Sequence, residues 1–113
     1  MNELTKFYKL LSDETRIRIL MLLKRHKLCV CELCGIMEET QPKISKHLAK
    51  LRDLEIIKDE RQEQYIFYSL NTDNPLYLLT LNIIYDKLDQ FPILKKDFER
   101  GKFPEKFFIS AKS

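Results

Sequence analysis

Leu28–Leu51 reads LCVCELCGIMEETQPKISKHLAKL, and the fold is decided there. Its second half starts as a helix: Thr40 or Gln41 caps it, and Pro42 is tolerated in the first turn. At about 100° per residue, Ile44, Leu48 and Leu51 form one apolar stripe. Lys43, Lys46 and Lys50 gather within about 60° on the opposite side, with Ser45 and His47 on the flanks. From Gln41 to Arg52 there are four basic residues and no acidic one. A solvated lysine face would explain an isolated helix of this kind. This helix is not isolated. Residues 31–39 form a shorter segment with Leu33, Ile36 and Met37 on one stripe, joined to it by a few polar residues. Two short helices across a tight turn, the second offering side chains from its first turns, make a helix-turn-helix that lays its second helix in the DNA major groove.

The first half of the stretch holds every cysteine of the chain, as Cys29-x-Cys31-x-x-Cys34. On a helix Cys31 and Cys34 are neighbours one turn apart, opposite the Leu33/Ile36/Met37 stripe and facing outward. Cys29, if helical, points away from them by well over a quarter turn. All three sulfurs meet only if the chain is not helical at Cys29, so a ligand held by all three fixes the geometry of the helix start. The helix N-terminus favours the thiolate of Cys31. Free cysteines are often small buried hydrophobes. Three within six residues, two on an outward face, fit that account poorly.

Together, the CVCELC run and the QPKISKHL stretch resemble the arsenic-responsive branch of the ArsR/SmtB repressors, over about Leu10 to Leu70. The resemblance implies a winged helix-turn-helix fold in a homodimer. It implies that Cys29, Cys31 and Cys34 bind As(III) or Sb(III), and that Gln41, Lys43, Ser45, Lys46 and His47 face the DNA major groove. Two departures bear on turn geometry and on the approach of the wing to DNA: the glycine usual after the recognition helix is Glu55 here, and the one usual at the wing tip is Glu63.

The remaining sequence is consistent with one mainly helical domain of ordinary size. With 113 residues, 44% hydrophobic and 33% charged, the chain has enough apolar content for a core without staples. Its longest apolar run, Ile19–Leu23, is far too short for a membrane span, and no signal pattern opens the chain. An odd, clustered set of cysteines points to a reducing, cytoplasmic compartment. A net charge of +3 matters less than where the charge lies. Gly35 and Gly101 are the only glycines, which excludes a phosphate loop, and neither histidine stands by an evident nucleophile; an enzyme is not expected.

In chain order, Leu4, Phe7, Tyr8 and Leu11 mark a first helix. Ser12-Asp13 caps a second, Glu14 to about Arg25, whose Ile17 and Ile19–Leu23 make it the central buried one. His26 ends it, either solvated or as a fourth metal ligand. Residues 56–59 and 65–70 form a hairpin, the wing, with Arg61 and Gln64 near its tip as candidate phosphate contacts against Glu60 and Glu63. Asn74-Pro75 opens a last helix, Leu76 to about Gln90. Its Leu76, Leu79 and Ile83, with Leu78, Leu81, Ile84 and Leu88 beside them, exceed what one small domain covers, so the first and last helices should pair with a second copy. Residues 91–113 form an extension of unassigned role with five phenylalanines, six basic and three acidic residues, whose aromatics should pack back on the dimer.

The expected organisation is a winged-helix DNA-binding and dimerisation domain over 1–90 followed by that extension. The expected function is an operator-binding dimer that dissociates when As(III) or Sb(III) joins the three cysteine thiolates, with Lys50 and Arg61 adding DNA contacts. Soft thiolates select soft ions, and three without a fourth ligand suit a pyramidal trivalent centre better than tetrahedral zinc. Two alternatives stand beside it. One is a zinc- or cadmium-responsive, or structural-zinc, regulator using His26 and the same cysteines. The other is a thiol-redox sensor.

Overall fold

A computed structural model describes residues 2–71 and 73–112, with side chains as far as Phe108; Ser113, the end of the extension, lies outside the described residues. Helix α1 (Asn2–Leu10) buries Phe7 and Leu10. Asp13 caps α2 (Glu14–Arg25), its carboxylate accepting the Arg16 N–H at 3.1 Å. The expected central helix is α2, with Ile19 through Leu23 all buried. A two-residue strand β1 (Leu28–Cys29) leads into α3 (Val30–Met37), and a short turn leads to α4 (Gln41–Asp53).

The wing is β2 (Ile57–Gln62) with β3 (Tyr65–Leu70), antiparallel from Ile57 opposite Leu70 to Gln62 opposite Tyr65. It carries a strand more than the hairpin expected. β1 adds to the other edge of β3, with Leu28 opposite Tyr68 and Cys29 opposite Phe67, so β3 is central. The architecture is therefore mainly helical, a winged helix-turn-helix with a small antiparallel sheet.

Helix α5 (Pro75–Asp86) is capped by Asn74, whose side chain accepts the Leu76 and Tyr77 N–H groups. It ends earlier than the apolar spacing predicts. At Lys87 the chain tightens into a 3₁₀ turn, Leu88–Gln90, which turns Leu88 into the core. Pro92 then opens α6 (Pro92–Arg100), and α7 (Glu105–Lys112) follows. These two helices fold onto their own chain. Leu94 joins the same core cluster as Phe7, Leu22 and Ile36. Phe98 carries the Arg25 guanidinium 4.1 Å over its ring, while Phe91 and Phe103 stay exposed.

Both glutamates that replace the usual glycines keep the left-handed backbone, at φ 59° for Glu55 and for Glu63, and Glu38 joins them at φ 57°. Around Glu55 the turn is hydrogen-bonded on both sides, Glu55 N–H to Arg52 O at 2.8 Å and Asn71 Nδ2 to Glu55 O at 2.9 Å. The conformation is imposed by its surroundings at the expense of a residue with a Cβ. Glu55→Gly should therefore stabilise the fold by about 1 kcal/mol. A rise in the urea midpoint at constant slope is the expected reading, and an unchanged or lowered midpoint would show that the strain is relieved elsewhere.

Candidate functional site: a cysteine groove against the reading helix

Cys29 is the last residue of β1 and the cap of α3, extended at φ −93°, ψ 170°, so the chain is non-helical there as the three-sulfur geometry requires. A contact that the helical wheel does not predict joins two of the sulfurs. The Sγ atoms of Cys29 and Cys31 lie 2.9 Å apart, whereas Cys34 lies half-buried against the edge of the core. The extended backbone at Cys29 folds its side chain back over the first turn, while Cys31 stays near enough to Cys34 for its charge to act on that thiol. Among the described residues no three His, Cys, Asp or Glu side chains converge closely enough to hold an ion.

Burial pushes the Cys29 thiol up to about 12, helped by its contact with Cys31, and burial also raises Cys34. Both are held as neutral thiols at pH 7. The helix start is fixed by a group that the sequence reading passed over: the buried Glu32 carboxylate accepts the Cys29 N–H at 3.0 Å. Cys29-x-x-Glu32 is a capping box with cysteine in the serine position, and that spacing was its available signal. His26 is the C-cap of α2, and no three-donor group joins it to the cysteines among the described residues.

Helix α4 buries Ile44, Leu48 and Leu51 and leaves Gln41, Lys43, Lys46 and Lys50 exposed, with Ser45 half-buried. Gln41 Nε2 donates to Ser45 Oγ at 2.9 Å. Lys43 is tied to Glu39 at 3.1 Å. His47 does not face outward. It is 9% exposed, with Nε2 4.0 Å from the carboxylate of Asp13 at the start of α2. Three residues after Ile44 and four before Leu51, it falls on the apolar side of the wheel, and burial lowers its pKa against the pull of Asp13. Arg61 is exposed on β2 opposite Ile66, and Glu60 beside it is paired to Lys27 at 3.0 Å.

A groove of about 850 Å³ joins the two halves of the site. Cys29, Cys31 and Cys34 line it from one side, Gln41 and Ser45 from the reading helix, and Tyr65, Ile66 and Tyr68 from the wing strand, with Phe107 of α7 closing part of the wall. A ligand on the cysteines would lie against the helix that would read DNA.

The match to the family of bacterial regulatory proteins described as arsR covers residues 13–59. The chain is 44% identical over 72 residues to the arsenic resistance transcriptional regulator ArsR1 of Pseudomonas putida, a stretch that is 63% of this chain and 56% of that protein. It is 39% identical over 74 residues to an arsenical resistance operon repressor of Bacillus subtilis, covering 65% of this chain and 70% of the relative. A cadmium resistance regulatory protein of Staphylococcus aureus is also similar, at 30% identity over 75% of this chain and 71% of its own length. Among solved structures, reduced HlyU from Vibrio cholerae superposes with a TM-score of 0.69 at 26% identity, covering 75% of this chain and 87% of that one. The match to the Pseudomonas relative spans less than two thirds of that protein's length. With reading helix and wing both in place, the chain belongs to the arsR family of bacterial regulatory proteins.

Proposed function

We propose that the chain is a metalloid-responsive, cytoplasmic transcriptional repressor. It holds an inverted-repeat operator as a homodimer and lets go when As(III) or Sb(III) is taken up by Cys29, Cys31 and Cys34. The observation that carries this reading is the shared groove, in which the three cysteines lie against Gln41 and Ser45 of α4. In this reading Gln41 and Ser45 meet base edges, while Lys43, Lys46, Lys50 and Arg61 meet phosphates. His47 drops out of the reading set because it is buried against Asp13.

The donor set fits a soft trivalent ion. Each neutral thiol that replaces a hydroxide of arsenous acid passes its proton to the departing hydroxide as water, so uptake changes no net charge. A divalent ion must instead expel the protons, which the raised Cys29 and Cys34 pKa values oppose. The arsenite concentration giving half-release should therefore stay nearly flat between about pH 6 and pH 8, while zinc and cadmium should weaken as pH falls, by about tenfold per unit for each proton released.

The test is a titration of reduced protein on its selected DNA with arsenite, antimonite, zinc and cadmium, following DNA release and thiolate–metal absorption together. Cys31→Ser should keep DNA binding and lose release, a change of about 5- to 150-fold in the half-release concentration. Release of Cys31→Ser at wild-type arsenite concentrations would remove the cysteines as the inducer site. A thiol-redox sensor is the second reading, favoured by the 2.9 Å contact of Cys29 with Cys31. It requires release by an oxidant and none by arsenite under reductant.

A further inference from the structure

The C-terminal helices touch the cysteine-bearing helix at its other end. Arg100 donates from Nε to the carbonyl of Ile36 at 2.7 Å and from Nη2 to that of Gly35 at 2.8 Å, while Arg18 donates to Met37 O at 2.9 Å. The last carbonyls of α3 are thus tied down by two arginines. Helix α7 then lies along α3, and Phe107 presses on Gly35, where an added Cβ would stand 2.7 Å from the Phe107 Cβ. Glycine inside a helix costs about 1 kcal/mol against alanine, and here it admits a neighbour that no other residue would. The next residue reaches across: the Phe108 ring lies 4.7 Å edge-on from that of Tyr65 and 6.3 Å from that of Phe67, both on β3. Helix α7 therefore packs on α3 through Phe107, which lines the groove together with Cys34, and on the wing strand through Phe108.

We propose that Phe107 and Phe108 are positioning residues of the inducer site. Helix α7 is a brace that fixes the width of the cysteine groove and holds Cys34 out of the Cys29–Cys31 pair. It thereby sets the inducer concentration at which DNA is released. This rests on the reading of the cysteines as the inducer site. Closing three thiols on one ion moves the turn of α3 that carries Cys34, and that turn is pinned on one side by Arg100 and on the other by Phe107. Packed elements shift as units, so the brace opposes the closure.

Gly35→Ala separates bracing from helix stability, because it strengthens α3 as a helix while expelling Phe107. Gly35→Ala and Phe107→Ala should both lower the half-release concentration of arsenite by about fivefold or more, with the double variant adding nothing further. Phe107→Leu, which keeps an apolar contact, should stay near wild type. Without any ion, alkylation of Cys34 by iodoacetamide should be several-fold faster in the two alanine variants. Proteolysis after Lys102 or Lys106 reports whether α7 has left its seat. An undocked α7 with unchanged or raised half-release concentration overturns the brace, as does a Gly35→Ala protein that behaves only as a stiffer helix. If wild type ignores arsenite altogether, the inducer reading fails, and the brace is then judged by the alkylation rates alone.

Discussion

Asp97→Ala should cost about 3–5 kcal/mol of stability. Asp97 and Arg18 are paired inside the molecule, with side chains 3% and 8% exposed, through Arg18 Nε to Oδ2 at 2.7 Å and Nη2 to Oδ1 at 2.9 Å. The same guanidinium donates to Met37 O. Removing the carboxylate leaves a cation buried between α2 and the end of α3, compensated by Glu39 at 3.9 Å and more weakly by Glu14. The cost is that of the unpaired charge, not the net worth of the pair. Arg18→Met with Asp97→Leu should accordingly recover most of the loss. Arg52–Asp59, a pair at 3.3 Å with side chains 47% and 38% exposed, is the control, and breaking it should cost about 0–1 kcal/mol. Urea unfolding of the three variants reads this directly. An Asp97→Ala protein as stable as the Arg52 control would mean that water reaches Arg18.

That ion pair was beyond reach of the sequence, since 79 residues separate its partners and neither stands in a motif. What was legible was periodic or local. The apolar stripe of α4, the buried run of α2, the caps at Asp13 and Asn74 and the β-rich runs of the wing all follow from neighbours within a few residues. The cysteine cluster was legible as a cluster, but not in its pairing. Cys29 meets Cys31 because β1 forms, and β1 forms only because Tyr68 and Phe67, some forty residues on, offer the edge of β3. His47 was misplaced by weighing its polarity above its angle on the wheel. Glu38 gives no turn signal, because glutamate is not a residue that favours positive φ, and Glu55 and Glu63 were legible as turn positions only through the glycines the resemblance puts there. The extension was opaque for the same reason as the ion pair. Its composition spoke of aromatic packing, but Gly35, the seat of Phe107, lies in another helix.

Leu79→Glu combined with Ile83→Glu should yield a folded monomer that loses operator affinity by about a thousandfold or more. On α5, Leu76, Leu79 and Ile83 are 43%, 58% and 58% exposed, while Tyr77 and Leu81 on the other face are buried. Phe7 of α1 stacks on Tyr77 at 4.1 Å, which locks α1 and α5 side by side. Tyr8, 49% exposed, then extends the apolar face from the neighbouring helix. Each such aliphatic side chain gains about 1.5–3 kcal/mol when covered, and in a dimer built on this face a two-fold axis would cover every one of them twice. The inward face of α5 is untouched by these substitutions, so the monomer should still unfold in one cooperative step, at a lower urea concentration than the wild-type dimer because the association energy is lost. Operator binding should collapse because the affinity of two half-sites about 34 Å apart depends on one body holding both reading helices. Sedimentation at micromolar protein and footprinting on the selected DNA measure the two parts separately. A variant that still sediments as a dimer and protects both half-sites would move the interface off α1 and α5. A monomer that still protects both would show that each copy reads its half-site unaided.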